Sequence, residues 1–477
     1  MRQVNGNVLS EIPVVFTPDE NYIVPTSIAI LSMLRTKKIE TRYKFYIVIS
    51  EKFDSNKLTY LNQISSMEKD FNHQIIRINS EMFDNQKITT EHISSSAYYR
   101  LILANILSDC DKCMYHDGDI LVNADLSEMY NIDMDECYVG GVKAIGRQQD
   151  TESNKKRMKA GGFSSYDNYI FSGDLVFNLE LIRKDNLTKF FIEKMNEGFL
   201  SEDQDVINYC CYNRIYILPL KYCMLNQWLN NNLLVNMKRQ VYGENDLNEA
   251  KNNPSVVHFA GAIAKPWVNL RVAYSEKWWQ YAKEILSEKE YSEWYDRAKG
   301  FTKRWDWSYL EKQLDIEKNV ILFAYSEISK NVFDRLNSLG YHVSCFIDND
   351  IYKQGKEYKG CMVFSPDAEL VNYKNSIVVN TNQLHYKEIR NQLVSIGVEQ
   401  QQIIDYYHRD SRYFSVLDPK YYGEELRYMC SNEWSINSDN MTMFELIDKL
   451  SDYQKQCIGE RFFLSFDEIV NVIEKLA

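Results

Sequence analysis

Short apolar runs alternate with helix-patterned segments through the first part of the chain, and this alternation restricts the fold more than any other feature. Ile12–Phe16, Tyr43–Ser50 and Gln74–Asn79 have the length and the branched or aromatic content of strands. Between them, Ile23–Leu34 and Leu58–Met67 carry apolar residues at three- and four-residue steps, the spacing of one helix face. Such units predict an α/β fold with a mixed, mainly parallel sheet, because parallel neighbours need a crossover. Ligands of open sheets bind beyond the strands' carboxyl ends. The loop Thr17-Pro18-Asp19-Glu20-Asn21-Tyr22 follows the first strand at such an end.

Met114-Tyr115-His116-Asp117-Gly118-Asp119-Ile120-Leu121-Val122 is an apolar strand interrupted by two carboxylates one glycine apart. In an extended segment residues i and i+2 face the same side, so Asp117 and Asp119 aim at a common point. Gly118 leaves the backbone open to a ligand. Two like charges that close call for a cation or a shared proton. Carboxylates are hard ligands suited to Mg²⁺ or Mn²⁺, ions that commonly bridge phosphates. The motif is short and also fits a polar turn between strands, so its meaning depends on partners elsewhere.

Later segments offer such partners. Tyr98–Leu107 reads as an amphipathic helix, with Arg100 in its first turn suited to a phosphate, an aspartate or simply solvent. Residues 147–168 are polar, bear glycines and include the basic cluster Lys155-Lys156-Arg157, a composition that suits a mobile loop. Tyr169–Leu179 is a strand with Gly173 where another group approaches. Asp203-Gln204-Asp205 opens a helix, where the positive dipole end tolerates carboxylates and where plain capping is the alternative. A further strand from Ser255 ends in a loop with His258, Gly261 and Lys265; a lone histidine is more often structural than a ligand, but the combination with Gly and Lys suits a diphosphate.

In order from Ile12 to Trp267, these segments resemble glycosyltransferase family 8, retaining enzymes that include glycogenin and bacterial lipopolysaccharide galactosyl- and glucosyltransferases. The resemblance implies a GT-A type nucleotide-sugar-binding domain, a UDP-sugar donor carrying glucose or galactose, and Mn²⁺ or Mg²⁺ as cofactor. It implies Asp117, Asp119 and His258 as metal ligands, and Asp203, Gln204 and Arg100 as the catalytic group beside the donor sugar. The implied donor contacts are Thr17, Asp19 on the uracil edge, Asn21 near the ribose and phosphates, and Tyr22 stacked on the base. Arg100, Asp117, Gly118, Gly261 and Lys265 complete them. The acceptor expected from the family is a glycan, lipid-linked sugar or glycoprotein in bacterial surface glycan synthesis. Phe171 stands where the family has an asparagine and Asp174 where it has an aliphatic, and both departures bear on the donor sugar. The His258-to-Lys265 spacing is one residue longer than the family's, with the extra residue among Ala262-Ile263-Ala264.

The remaining chain divides further. Residues 1–275 form the expected catalytic domain, and 276–315 a helical connector rich in aromatics such as Trp278, Trp279 and Trp294. Residues 316–410 resemble a Rossmann-like α/β domain whose first turn, Ala324-Tyr325-Ser326-Glu327-Ile328-Ser329, lacks glycine. Without the close approach a glycine allows, pyrophosphate binding there is not expected, and a scaffold or partner-binding role is. Residues 411–477 form a helical tail that packs on this domain or mediates oligomers. A net charge of −12 argues against nucleic acid as partner. No run reaches the roughly 18–20 apolar residues of a membrane span, leaving peripheral membrane association as the expected limit. The ten cysteines show no framework spacing, in keeping with a reduced cytoplasmic chain. A nucleotidyltransferase would need a glycine- and lysine-rich loop after the first strand, and Phe16–Tyr22 has none. A transferase-like binding protein acting through its C-terminal part is the other alternative.

Overall fold

The structure, a computed structural model, describes residues 3–4, 7–8, 11–84, 94–134, 136–148, 151–197, 199, 201–226, 242–303, 307–368, 371–382, 385–406, 411–434, 436, 438, 441–462 and 464–476. A small hairpin of β1 (Gln3–Val4) and β2 (Asn7–Val8) precedes the first large unit. That unit is a seven-stranded sheet containing β3 (Ile12–Phe16), β4 (Tyr43–Ser50), β5 (Asn72–Ile78), β6 (Lys112–His116), β8 (Val139–Lys143), β9 (Ile170–Asn178) and β10 (Ile215–Ile217). Their order is β10-β8-β9-β6-β3-β4-β5, with β9 antiparallel to both neighbours and all other pairs parallel.

Both faces of this sheet's centre are covered, which explains why β3 and β4 read as nearly unbroken apolar runs, whereas the edge strand β5 does not. Ile12, Val14 and Phe16 join the core under helix Ile23–Thr36, while Val15 joins the opposite core with Tyr115, Leu175 and Phe177. A second sheet of β11 (Met224–Leu225), β12 (Val256–His258) and β7 (Ile120–Val122) abuts the first. The two strands flanking Asp117-Gly118-Asp119 therefore belong to different sheets, and the aspartates lie at the junction.

Some local expectations change. Tyr98–Leu107 is a 3₁₀ segment, Ser95–Ile102, followed by a single turn of α-helix, Leu103–Ile106. The expected loop 147–168 contains a helix, Glu152–Ala160, whose Thr151 side chain accepts from the Asn154 amide. Few apolar residues mark that helix, so its cap carries the signal that periodicity lacks.

A six-stranded sheet forms the C-terminal α/β unit. It comprises β13 (Asn319–Phe323), β14 (Val343–Ile347), β15 (Glu357–Tyr358), β16 (Cys361–Phe364), β17 (Ser376–Asn380) and β18 (Ile403–Asp405). The order β15-β16-β14-β13-β17-β18, parallel apart from β15, is the Rossmann arrangement around β13. Ala324 adopts φ +81° after β13, taking the left-handed turn that a glycine takes more readily. The helices from Ser411 onward share a core with Ile263 and Phe301. Arg271 pairs with Glu425 at 2.6 Å and Glu424 at 3.0 Å, so the tail docks on the first unit as well. Among the described residues no helix is long and apolar enough to cross a membrane.

Candidate active site

Strand pairing assembles the site from distant segments. Antiparallel β6 and β9 set His116 opposite Asp174, and the Asp117 amide donates to the Gly173 carbonyl at 2.7 Å. Antiparallel β7 and β12 set Ile120 opposite His258, and the Phe259 amide donates to the Asp119 carbonyl at 2.9 Å. The result brings Asp117, Asp119 and His258 together, with ligand atoms all within 4.8 Å of one another. His258 Nε2 lies 3.3 Å from Asp119 Oδ1 and 4.0 Å from Asp117 Oδ2. Two carboxylate oxygens and an imidazole nitrogen on one cleft wall fit a divalent cation such as Mn²⁺ or Mg²⁺.

The cleft, of about 570 Å³, is lined by Thr17, Asp19, Tyr22, Gly118, Gly261 and Phe171 around this group. Asn21 is exposed and not among the lining residues; the Asp19 carboxylate accepts from the Asn21 and Tyr22 amides, turning the backbone there. Thr17 contacts the Tyr115 hydroxyl at 2.9 Å, and Tyr115 in turn donates to Asp117 at 2.9 Å. Tyr115 was not foreseen; an aromatic inside an apolar strand carries no sign of a polar duty. Gly118 does more than open a path for ligand. A Cβ there would stand 2.2 Å from Thr26 Oγ1 of the first helix, so the glycine is required by packing.

Arg100 is 4% exposed, stacked over the Tyr115 ring, and bonds Asp117 at 2.8 Å with Asp203 at 3.3 Å. Gln204 donates to the Tyr169 hydroxyl at 3.1 Å, which fixes its amide in the wall. Glu202, at the start of the helix Glu202–Cys210, takes φ +40°, a left-handed strain next to Asp203 and Gln204. Ser201 makes no side-chain cap on that helix, and Asp203 faces Arg100 instead of capping it. Arg147 and Arg157 also reach the cleft, from the region expected to be a loop.

Electrostatics set the carboxylates apart. Burial works to raise Asp119, but Lys265 and His258, both bonded to it, hold it below the usual range. Burial raises Asp117 despite Arg100, and the Asp119 charge adds to the effect. Burial would lower His258 and Lys265, and their carboxylate partners reverse that for both. Asp174 stands apart from the cleft. It is fully buried behind the wall, bonded to His116 Nδ1 at 2.6 Å and His258 Nδ1 at 2.9 Å, and does not line the cleft. Burial raises it, yet the two histidines bring it down to about 2. Gly173 beside it, with a Cβ position 2.2 Å from His258 Cε1, makes room for that histidine.

A GT-A type glycosyltransferase architecture, a cleft at the carboxyl end of a central strand with two aspartates and a histidine, agrees with comparison to known proteins. Residues 13–271, more than half of the chain, match glycosyl transferase family 8, and the chain belongs to that family. Residues 316–404 match the C2185-like, N-terminal family. General stress protein A of Bacillus subtilis is 26% identical over 281 residues, covering 56% of this chain and 92% of that protein. The bifunctional glycosyltransferase WbbM superposes with TM-score 0.51 at 23% identity, over 62% of this chain and 53% of WbbM, so the match spans about half of that protein. The galactosyltransferase LgtC, solved with donor and acceptor sugar analogues, gives TM-score 0.51 at 19% identity, over 59% of this chain and all of LgtC.

Proposed function

We propose that this protein transfers a hexose, glucose or galactose, from a UDP-sugar to a glycan, lipid-linked or glycoprotein acceptor, with retention and with Mn²⁺ or Mg²⁺. The observation that carries this reading is the convergence of Asp117, Asp119 and His258 from separate strands beside Lys265, within a family 8 chain. Asp117, Asp119 and His258 would hold the cation, which supplies Lewis-acid stabilisation to a departing diphosphate.

The chain's own groups have complementary tasks. Lys265, 4% exposed, holds an ammonium at the cleft floor for the phosphate charge, where low polarity strengthens its effect. Gly261, at φ +97°, turns the loop so that backbone can face the same diphosphate. Tyr22 packs edge-on against Trp267 with centroids 6.1 Å apart and offers the base a platform, with Thr17 and Asp19 beside it. Arg100 holds Asp117 and Asp203 in place, and Gln204 and Asp203 present polar groups to a sugar whose ring becomes oxocarbenium-like. No side chain is assigned as nucleophile.

Screening UDP release over a panel of UDP-sugars with Mn²⁺ tests the reading. Release with UDP-glucose or UDP-galactose, and an α-anomeric proton coupling in the transferred sugar, are expected. No release with any donor, or a β-coupling, contradicts it.

A further inference from the structure

We propose that Asp174 is a positioning residue for the cation site: its carboxylate, pinned by His116, takes the His258 Nδ1 hydrogen and leaves Nε2 to face the aspartates. This rests on the cation reading above and concerns which atom of His258 does the ligating.

A carboxylate only accepts hydrogen bonds, so each histidine nitrogen touching Asp174 must carry the hydrogen. His258 Nδ1 is 2.9 Å from Asp174 Oδ2, and His116 Nδ1 is 2.6 Å from Oδ1, so both oxygens are engaged. The remaining nitrogen of His258 is the one 3.3 Å from Asp119. His116 is fully buried, its Nε2 has no hydrogen-bond partner among the described residues, and its ring lies against Phe16. A hydrogen on that Nε2 would be stranded, so His116 keeps its hydrogen on Nδ1 and ties Asp174 to one orientation. Cys223 Sγ, 4.0 Å from His258 Nδ1, is the other group on that side. Sulfur is a weak acceptor and lies at the limit of contact, whereas the Asp174 oxygen at 2.9 Å is the strong acceptor. Asp174, Cys223 and His258 also lie within ligand distance of one another. With both oxygens of Asp174 committed to histidines, that trio serves as support for the cation site.

The β6–β9 register is what supplies the device: His116 and Asp174 are paired across the strands, and Gly173 admits the His258 ring beside them. A carboxylate behind a ligating imidazole fixes its tautomer and ring angle, and loss of such a partner typically weakens metal affinity about 10- to 100-fold.

Titrating the metal-free full chain with Mn²⁺, and following the free ion by electron paramagnetic resonance, measures this directly. The Asp174→Val variant is expected to bind Mn²⁺ at least about tenfold more weakly than the wild type. A purely structural role would lower its unfolding midpoint yet leave the affinity of the folded protein unchanged, and that result overturns the proposal. Long-range ¹H–¹⁵N spectra of the wild-type chain loaded with Mg²⁺ and UDP give a second readout that needs no variant. His258 is expected to carry its hydrogen on Nδ1; a hydrogen on Nε2 overturns the proposal. Wild-type protein that binds no Mn²⁺ would overturn the cation reading itself, and this proposal with it.

Discussion

Asp203 lies in the interior with Arg100 at 3.3 Å, and burial outweighs the guanidinium, pushing its pKa up to about 6. The native state therefore keeps a proton that the unfolded chain releases near the ordinary Asp value of about 3.9. The stability tied to that proton is present below about pH 4 and is lost as pH rises through about 6. Asp203→Asn keeps the neutral shape without the titration. Relative to the wild type, it is expected to gain on the order of 2 kcal/mol between pH 4 and pH 8. Urea denaturation at both pH values checks this, and an unchanged difference would contradict it. Such a cost, set beside the strained Glu202 backbone, is what a site held ready for a ligand shows. At this scale the sequence revealed residue types well and directions poorly. Asp117 and Asp119 stood out as a carboxylate pair, whereas His258 could be named as their partner only through the family resemblance. Asp174 was visible as a charge in an apolar strand, but only its buried contact with two histidines shows which way it faces.

Strand register does the work at the scale of elements. Two antiparallel pairings, β6 with β9 and β7 with β12, convert remote segments into one constellation. The strands themselves were legible from apolar runs, and Ile12–Phe16 and Tyr43–Ser50 agree with the observed ends. Their partners were not, because pairing depends on long-range packing that no local pattern encodes. Nor did composition disclose that β6 and β7 enter different sheets. Gly118 at their junction gives a sharp test. An alanine there would press on Thr26 Oγ1, so Gly118→Ala should destabilise the chain by about 1–3 kcal/mol. Adding Thr26→Ala removes the obstructing hydroxyl and should recover most of that loss in urea denaturation. An additive loss in the double variant would show that the glycine serves some other need.

The whole molecule couples its C-terminal helices to the loop that bears Lys265. Ile263, within the stretch that is one residue longer than the family spacing, packs with Ala264, Val272 and Val416 and touches the helical core of the tail. Val272 and Leu417 form an isolated antiparallel bridge, and the Asp418 amide donates to the Arg271 carbonyl at 2.8 Å. The opposite side of the loop is fixed by Asn226, which donates to the Ala264 carbonyl at 2.8 Å, and by Trp279, which donates to that of Pro266 at 3.2 Å. Ile263→Ala should loosen this support by about 1 kcal/mol, raising the UDP-sugar KM roughly fivefold with little change in kcat. Initial-rate kinetics decide it; an unchanged KM would detach the tail from donor binding. The docking of the tail was beyond the sequence because an amphipathic pattern does not say which neighbouring unit its apolar face meets. The loop's extra residue could be counted, but its contact could not be foreseen.

In the proposed function, Asp117, Asp119 and His258 hold a divalent cation that makes sugar transfer possible. The most direct measurement is UDP release from the active UDP-sugar, comparing wild type with Asp119→Ala in Mn²⁺, in chelator, and after Mn²⁺ is restored. Wild-type release is expected to stop in chelator and return with Mn²⁺, while Asp119→Ala stays inactive throughout. Undiminished release in chelator, or near-wild-type release by Asp119→Ala, would contradict it.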